Sequence, residues 1–222
     1  MVDKSIFMAG DAAGQDLISQ QIHANNLANS KTHGFKADKQ ANFSIPIDGS
    51  GYSSRVYSQS TENIVDLSQG NLARTNNPLD LALVNEGFFA LQDLQGNLVL
   101  SRDGQFQLDA NGQLINQEGL GVLGANGPIF LQPGDMSVGK NGLIQVQTPD
   151  GAIETTQILL TRPESVTKRA DGYFQSGAEG ELVFDPNVRL EQGALEESNV
   201  NPMFEMVSII DTARHYELQM KY

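Results

Sequence analysis

Cysteine is absent from the 222 residues of this chain, so neither a disulfide nor a thiolate metal site is available to it. Tryptophan is absent too, and aromatic residues amount to 7%, which leaves little material for the aromatic platforms of a secreted binding or fibre module. Basic residues are scarce: 14 Lys and Arg stand against 27 Asp and Glu, a formal net charge of -13. Phosphate binding requires a basic patch. The nearest approach to one, the scattered Lys31, Lys36 and Lys39, reads as a solvated loop, so nucleic acid is not an expected partner. No apolar run reaches the roughly 18 residues of a membrane span, and Met1 to Gly14 holds no apolar stretch of signal-peptide length. A protein of this kind that leaves the cytoplasm would need another route. With hydrophobic residues at 39% and charged residues at 18%, the chain is acidic yet globular rather than disordered. Its length suits one larger domain or a domain with extensions.

Motifs that suggest chemistry fail on their surroundings. Gly119-Leu120-Gly121-Val122-Leu123-Gly124 spells G-x-G-x-x-G, but a dinucleotide site needs a helix after it, and Ala125-Asn126-Gly127-Pro128 breaks any helix. Asp109-Ala110-Asn111 begins like a calcium loop, yet Gln113 and Leu114 occupy the places of its next ligand and its glycine. His23, His33 and His215 are unclustered and lie in helix or helix-end contexts. The adjacent Glu196 and Glu197 could serve glycosidic chemistry only across a cleft; they read instead as a solvated, helix-favouring entry to the last helix. The expectation is no catalytic residue, no cofactor and no metal.

What the chain does have is helix-forming sequence at its two ends. Steps of four and three through residues 4–29 pick out Ile6, Gly10, Ala13, Leu17, Gln20, Ala24 and Leu27, a strip at the coiled-coil period. The same steps near the other end give Met206, Ile209, Ala213, Tyr216 and Met220, with no charge among them. Small residues such as Gly10, Ala13, Ala24 and Ala213 let helix axes approach closely, and Gln20 sets register at a cost in stability. Such helices are marginal alone in water, so both ends are expected to be poorly ordered in the free monomer and to become helical on assembly. Two such stripes suit pairing with each other and with neighbouring subunits, the layout of a structural subunit; a two-helix layer over a sheet is the plainer alternative.

The first helix should stop near Asn29, where Asn-Ser and Thr32-His33-Gly34 supply turn chemistry. The cluster Asn25, Asn26 and Asn29 is either a simple C-cap or a helix end whose amides also reach a neighbour. Residues 30–66 read as an extended connector, with Pro46 and a Gly49-Ser50-Gly51 tip. From residue 67 onward, short strands alternate with turns. Asn111-Gly112 and Asn141-Gly142 lie between alternating apolar segments, and Gln95-Gly96-Asn97, Asp150-Gly151 and Glu179-Gly180 mark further reversals. The expected fold class is α+β: paired, coiled-coil-like N- and C-terminal helices with an antiparallel all-β middle domain. The boundaries fall at 1–29 for the first helix, 30–66 for the connector, 67–195 for the β domain and 196–222 for the last helix.

Several segments resemble the flagellar basal-body rod and hook family. They are Asn25 to Asn29 with Gly34-Phe35-Lys36, Gln69-Gly70-Asn71-Leu72, Thr75 to Ala82, Gly87-Phe88-Phe89-Ala90-Leu91 and Arg102-Asp103-Gly104-Gln105-Phe106. Further along, Gly112-Gln113-Leu114, Val122-Leu123-Gly124, Leu195-Glu196-Glu197-Ser198-Asn199-Val200-Asn201-Pro202 and Met206 to Ile210 resemble it too. The resemblance covers nearly the whole chain in the family's order. Length separates the chain from the smallest rod subunits and from the hook protein. The ending Ala213 to Lys221 looks more like the proximal than the distal rod protein. Leu100-Ser101 stands where the family often has Tyr-Thr, a change that keeps a strand. Relatives usually continue the last helix beyond the position of Tyr222; an end there would thin the helical layer.

The resemblance implies a structural subunit of the rod in the bacterial flagellar basal body, within the part that spans the periplasm. Its partners would be copies of itself and other rod subunits, and its exporter the flagellar type III apparatus, without a cleavable signal peptide. The terminal helices would line the inner tube, the β domain would form the outer wall, and the connector would bridge neighbours. Assembly contacts are expected at the stripe residues, at Asn25, Asn26, Leu27 and Asn29, at Gly34 and Phe35, and at Ser198, Asn199 and Val200.

Overall fold

The computed structural model describes residues 2–46, 56–177 and 182–219; the side chains of residues 2–9, 11, 41–46 and 56–63 are outside the description. The architecture is the α+β arrangement expected, with a helix at each end and antiparallel strands between. The chain forms two compact units: Met1–Ser30, Lys36–Asp66 and Val200–Tyr222 make one, and Lys31–Phe35 with Leu67–Asn199 make the other.

In the first unit α1 (Val2–Ala28) and α2 (Pro202–Gln219) pack against each other. The end of α1 meets the start of α2, so the two run in opposite directions. The expected stop of α1 is present: the Asn29 amide donates to the Asn25 carbonyl at 2.9 Å, and the Ser30 hydroxyl donates to the Leu27 carbonyl at 2.8 Å. These bonds add side-chain donors to carbonyls that also accept the Asn29 and Ser30 N–H groups. α2 starts on Asn201, whose side-chain oxygen accepts the N–H groups of Met203 and Phe204, with Pro202 at the first helical position, where its missing N–H costs nothing. The stretch read as a connector contains a long antiparallel pair, β1 (Asp38–Pro46) and β2 (Val56–Val65), with an irregularity between Ala41 and Asn42.

The second unit is all β. Its strands begin with β3 (Leu72–Arg74), β4 (Leu81–Leu83), β5 (Phe88–Gln92), β6 (Leu98–Ser101), β7 (Phe106–Leu108), β8 (Leu114–Asn116), β9 (Gly121–Gly124) and β10 (Gly127–Pro128). They continue with β11 (Asp135–Val138), β12 (Leu143–Gln147), β13 (Ile153–Gln157), β14 (Leu160–Thr161), β15 (Val166–Lys168), β16 (Phe174–Ser176), β17 (Leu190–Gln192) and β18 (Ala194–Glu196). The main sheet runs β15-β16-β6-β5-β9-β8-β7, with β10 beside β9 and β14 beside β5. A second sheet is β11-β12-β13, and β17 pairs with β4 and β18 with β3. Leu81, Leu83, Phe89, Leu91, Val122, Ile144, Ile158 and Leu160 form the centre of one apolar core. Phe106 meets Phe89 edge-on, ring centroids 5.1 Å apart, the orientation that the ring quadrupoles favour.

The turn signals work as backbone chemistry requires. Gly112 and Gly142 have φ of 80° and 83°, a region open to glycine at no steric cost, and they connect β7 to β8 and β11 to β12. Asp109 accepts the N–H groups of Asn111 and Gln113 within its turn. Gly121–Gly124 forms a strand followed by a turn. Leu100 and Ser101 lie in β6, where the Ser101 hydroxyl accepts the Asp103 N–H. Glu179-Gly180 lies outside the described residues.

Candidate assembly interface

Asn26 is the organising residue at the end of α1. It is buried, and its side chain pairs with the backbone of Asp38 on both sides: the amide donates to the Asp38 carbonyl at 2.9 Å, and its oxygen accepts the Asp38 N–H at 2.9 Å. A side-chain amide there imitates a neighbouring strand at the start of β1. The same amide reaches Glu205 Oε1 at 3.3 Å, while Glu205 Oε2 lies 2.5 Å from His23 Nδ1. Glu205 is buried in the first turn of α2, where a negative charge complements the helix dipole. His23, Asn26 and Glu205 therefore form one polar node joining the two helices and the hairpin. The side-chain amide and oxygen of Asn26 are both engaged within the subunit. Asn29 serves the C-cap, and Asn25 is exposed.

The helical strip divides. Ala13 is buried and Gln20 and Leu27 are partly buried, but Gly10, Leu17 and Ala24 are exposed. Ile22, absent from the expected strip, is buried instead. On α2 the partly buried positions include Ile209, Ala213 and Tyr216, whereas Met206 is exposed. The strip from Ile6 thus coincides only in part with the buried line of α1, which also passes through Ile22 and the polar His23 and Asn26, residues that apolar counting ignores. Ile6 lies outside the described side chains, and Met220 outside the described residues. Away from that contact α2 exposes Met203, Phe204, Met206, Val207 and Ile210, and α1 exposes Leu17 and Ile18. Both helices thus carry large apolar side chains that the described residues leave uncovered.

In the β unit, Gly34 and Phe35 are buried rather than displayed. The Gly34 N–H donates to the Glu196 carbonyl at 2.8 Å, its φ is 67°, and a Cβ there would overlap the Arg102–Asp103 backbone. Phe35 lies under Lys168, whose ammonium is 3.9 Å from the ring centroid, a favourable cation–π geometry. Asn199 is partly buried and its amide donates to the Ser68 carbonyl; Ser198 is partly buried, and Val200, in the first unit, is buried.

Glu196 is not the solvated carboxylate expected. It is fully buried, with Oε2 accepting from Arg102 Nη2 at 2.7 Å and Nε at 2.9 Å, and Oε1 accepting the Gly70 N–H at 2.9 Å. Glu197 is the exposed member of the pair, and the acid at the start of α2 is Glu205. In the sequence, Arg102 and Glu205 carry no mark of these contacts beyond being charged residues inside otherwise apolar or turn-forming motifs. His215 is exposed, and His33 has a buried Nδ1 with no hydrogen-bond partner among the described residues. Among those residues no group of three His, Asp or Glu could hold a metal ion, and no helix is long and apolar enough to cross a membrane.

Residues 82–153 match the family described as flagellar hook protein FlgE/F/G D1 domain, and residues 191–222 match flagellar basal body rod FlgEFG protein C-terminal. Across 232 residues the chain is 34% identical to the flagellar basal-body rod protein FlgF of Salmonella typhimurium, covering 99% of this chain and 92% of that protein. The Escherichia coli FlgF is 33% identical with the same coverage. The flagellar basal-body rod protein FlgG of Buchnera aphidicola subsp. Schizaphis graminum is 30% identical, covering 98% of this chain and 93% of that protein.

Proposed function

The chain belongs to the flagellar basal-body rod FlgE/F/G family and is a structural subunit of that rod, and we propose that it builds the proximal segment, polymerising through its terminal helices. The observation that carries the proximal assignment is the full-length similarity to FlgF. The exposed apolar faces of α2 and α1 support the helices as the adhesive surfaces. A contact made by different faces of identical subunits propagates instead of closing on itself, and a helical shaft results. Its partners are then copies of itself and other rod subunits, its place is the part of the basal body that spans the periplasm, and its exporter is the flagellar type III apparatus. The protein acts mechanically and catalyses nothing.

The similarity to FlgG favours a second reading, a distal subunit. Electron microscopy of basal bodies from cells lacking this chain separates the two. Rods arrested next to the inner-membrane ring are expected; rods of normal length lacking only their outer portion would replace the proximal assignment with the distal one. Ordering of the termini on assembly is tested by circular dichroism: dilute protein should show less helix than α1 and α2 together require, and a full helical signal would oppose it.

A further inference from the structure

An exposed strand edge offers unpaired N–H and C=O groups to any extended chain, and folded proteins usually guard such edges with Lys, Pro or a covering side chain. Of the strands with five or more residues, β5 and β12 are flanked on both sides. β1 is guarded: Asn26 covers its start, Lys39 lies within it, and it ends on Pro46. β2 and β13 remain. Among the described residues β2 pairs only with β1 and β13 only with β12. The sequences Val-Tyr-Ser-Gln-Ser-Thr-Glu-Asn-Ile-Val and Ile-Glu-Thr-Thr-Gln contain no Lys, Arg, Pro or Gly. The opposite edge of the β13 sheet is covered, since Gln192 accepts the Val138 N–H and donates to the Met136 carbonyl.

Register shows which peptide groups face away from the hairpins. Asp38 gives both backbone groups to Asn26, so its partner Val65 and, two residues on, Asn63 also point their peptide groups away from the hairpin. On β13 the bond from the Thr148 N–H to the Ala152 carbonyl sets the alternation, leaving Ile153 and Thr155 facing outward; Gln157 follows in phase, but its carbonyl is taken by the Ala125 N–H. A two-stranded ribbon as long as β1–β2 is marginal in water without a third strand. Ile153, Glu154 and Thr155 are exposed as well.

We propose that β2 of one copy and β13 of the next pair edge to edge, each supplying the strand that the other lacks. The contact uses different elements on its two sides, so it repeats from copy to copy without closing. It rests on the chain being a polymerising subunit.

The absence of native cysteine makes the test clean. Cells carrying N63C together with T155C in place of the unaltered chain are used to purify basal bodies, which are treated with a short thiol-to-thiol cross-linker and resolved on a denaturing gel. A ladder of linked copies is expected from the double variant and not from either single one. Basal bodies that contain the double variant yet yield only monomer, or a fast-migrating internally linked monomer, overturn the pairing. Asn63→Pro and Thr155→Pro each delete an outward N–H and spare the hairpin bonds, and each should lower incorporation roughly tenfold while the purified chain keeps its β spectrum. Normal incorporation of both overturns the proposal by a second route. Absence of the unaltered chain from purified basal bodies would instead remove the parent reading.

Discussion

The Glu196 carboxylate and the Arg102 guanidinium, 94 residues apart in sequence, meet inside the β unit with their charges fully enclosed. Arg102 also donates to the carbonyls of Asn85 and Gly87, at 2.8 and 2.7 Å. One ion pair thus fastens β18, the turn before β3, and the loop between β4 and β5. Its shape explains why an arginine opens the Arg-Asp-Gly-Gln-Phe turn: only a planar fork reaches a carboxylate and two carbonyls at once.

Arg102→Met leaves Glu196 as an uncompensated buried charge, and denaturant unfolding should show a loss of about 3–5 kcal/mol. Adding Glu196→Leu removes the stranded carboxylate and should recover most of that loss. A double variant no better than the single one would mean that the carbonyl bonds dominate.

Gly34→Ala forces a Cβ into the Arg102–Asp103 backbone at a left-handed position, at a cost of about 1–3 kcal/mol from backbone strain alone. Hydrogen exchange should accelerate at residues 31–35 and at Asn199, whose N–H bonds to the Phe35 carbonyl, before it does at β5 or β9.

Asn26→Leu strips both backbone groups of Asp38 of their partner and should destabilise the helix–hairpin unit by about 2–3 kcal/mol. Melting of the β unit should not move, and incorporation into basal bodies should fall. Asn26→Asp, which keeps an acceptor but sets a carboxylate against Glu205, should be at least as damaging.

Burial pushes the Asp103 carboxyl above its ordinary value of 3.8; the Gln105 N–H and the charge of His33 oppose this, and Asp80 and Glu118 add to it. The folded state therefore holds that proton more tightly than the unfolded state, so this group makes stability fall as pH rises from 3.8 to its raised folded value. Asp93, Asp109 and Asp185 are shifted downward, mainly by hydrogen bonds from Asn97, Gln113 and Asn187 respectively, and act in the opposite sense. Asp103→Asn keeps the acceptor for Gln105. Compared with the unaltered chain by chemical denaturation from pH 3 to 7, it should be the more stable at neutral pH, with the advantage shrinking on acidification. An advantage that grows on acidification would refute the assignment.

Local signals were legible in the sequence. Asn-Gly pairs with alternating flanks foretold β7–β8 and β11–β12, and Asn-Ser after α1 foretold its stop, because those choices are made within a few residues. Long-range choices were not. Glu196 looked solvated beside Glu197, since nothing nearby announces Arg102. Part of the buried line of α1 was missed because a seam carrying His23 and Asn26 has no hydrophobic signature. Pairing of β1 with β2 was hidden in a polar stretch with no two-residue turn to mark it.

The node of His23 and Glu205 closes across 182 residues. A polypeptide delivered through a narrow conduit from its amino end cannot complete that junction until Glu205 has emerged. Loop closure over such a span is entropically slow compared with the neighbouring hairpins. A copy cut short before Glu205 would therefore leave its two helices without this junction.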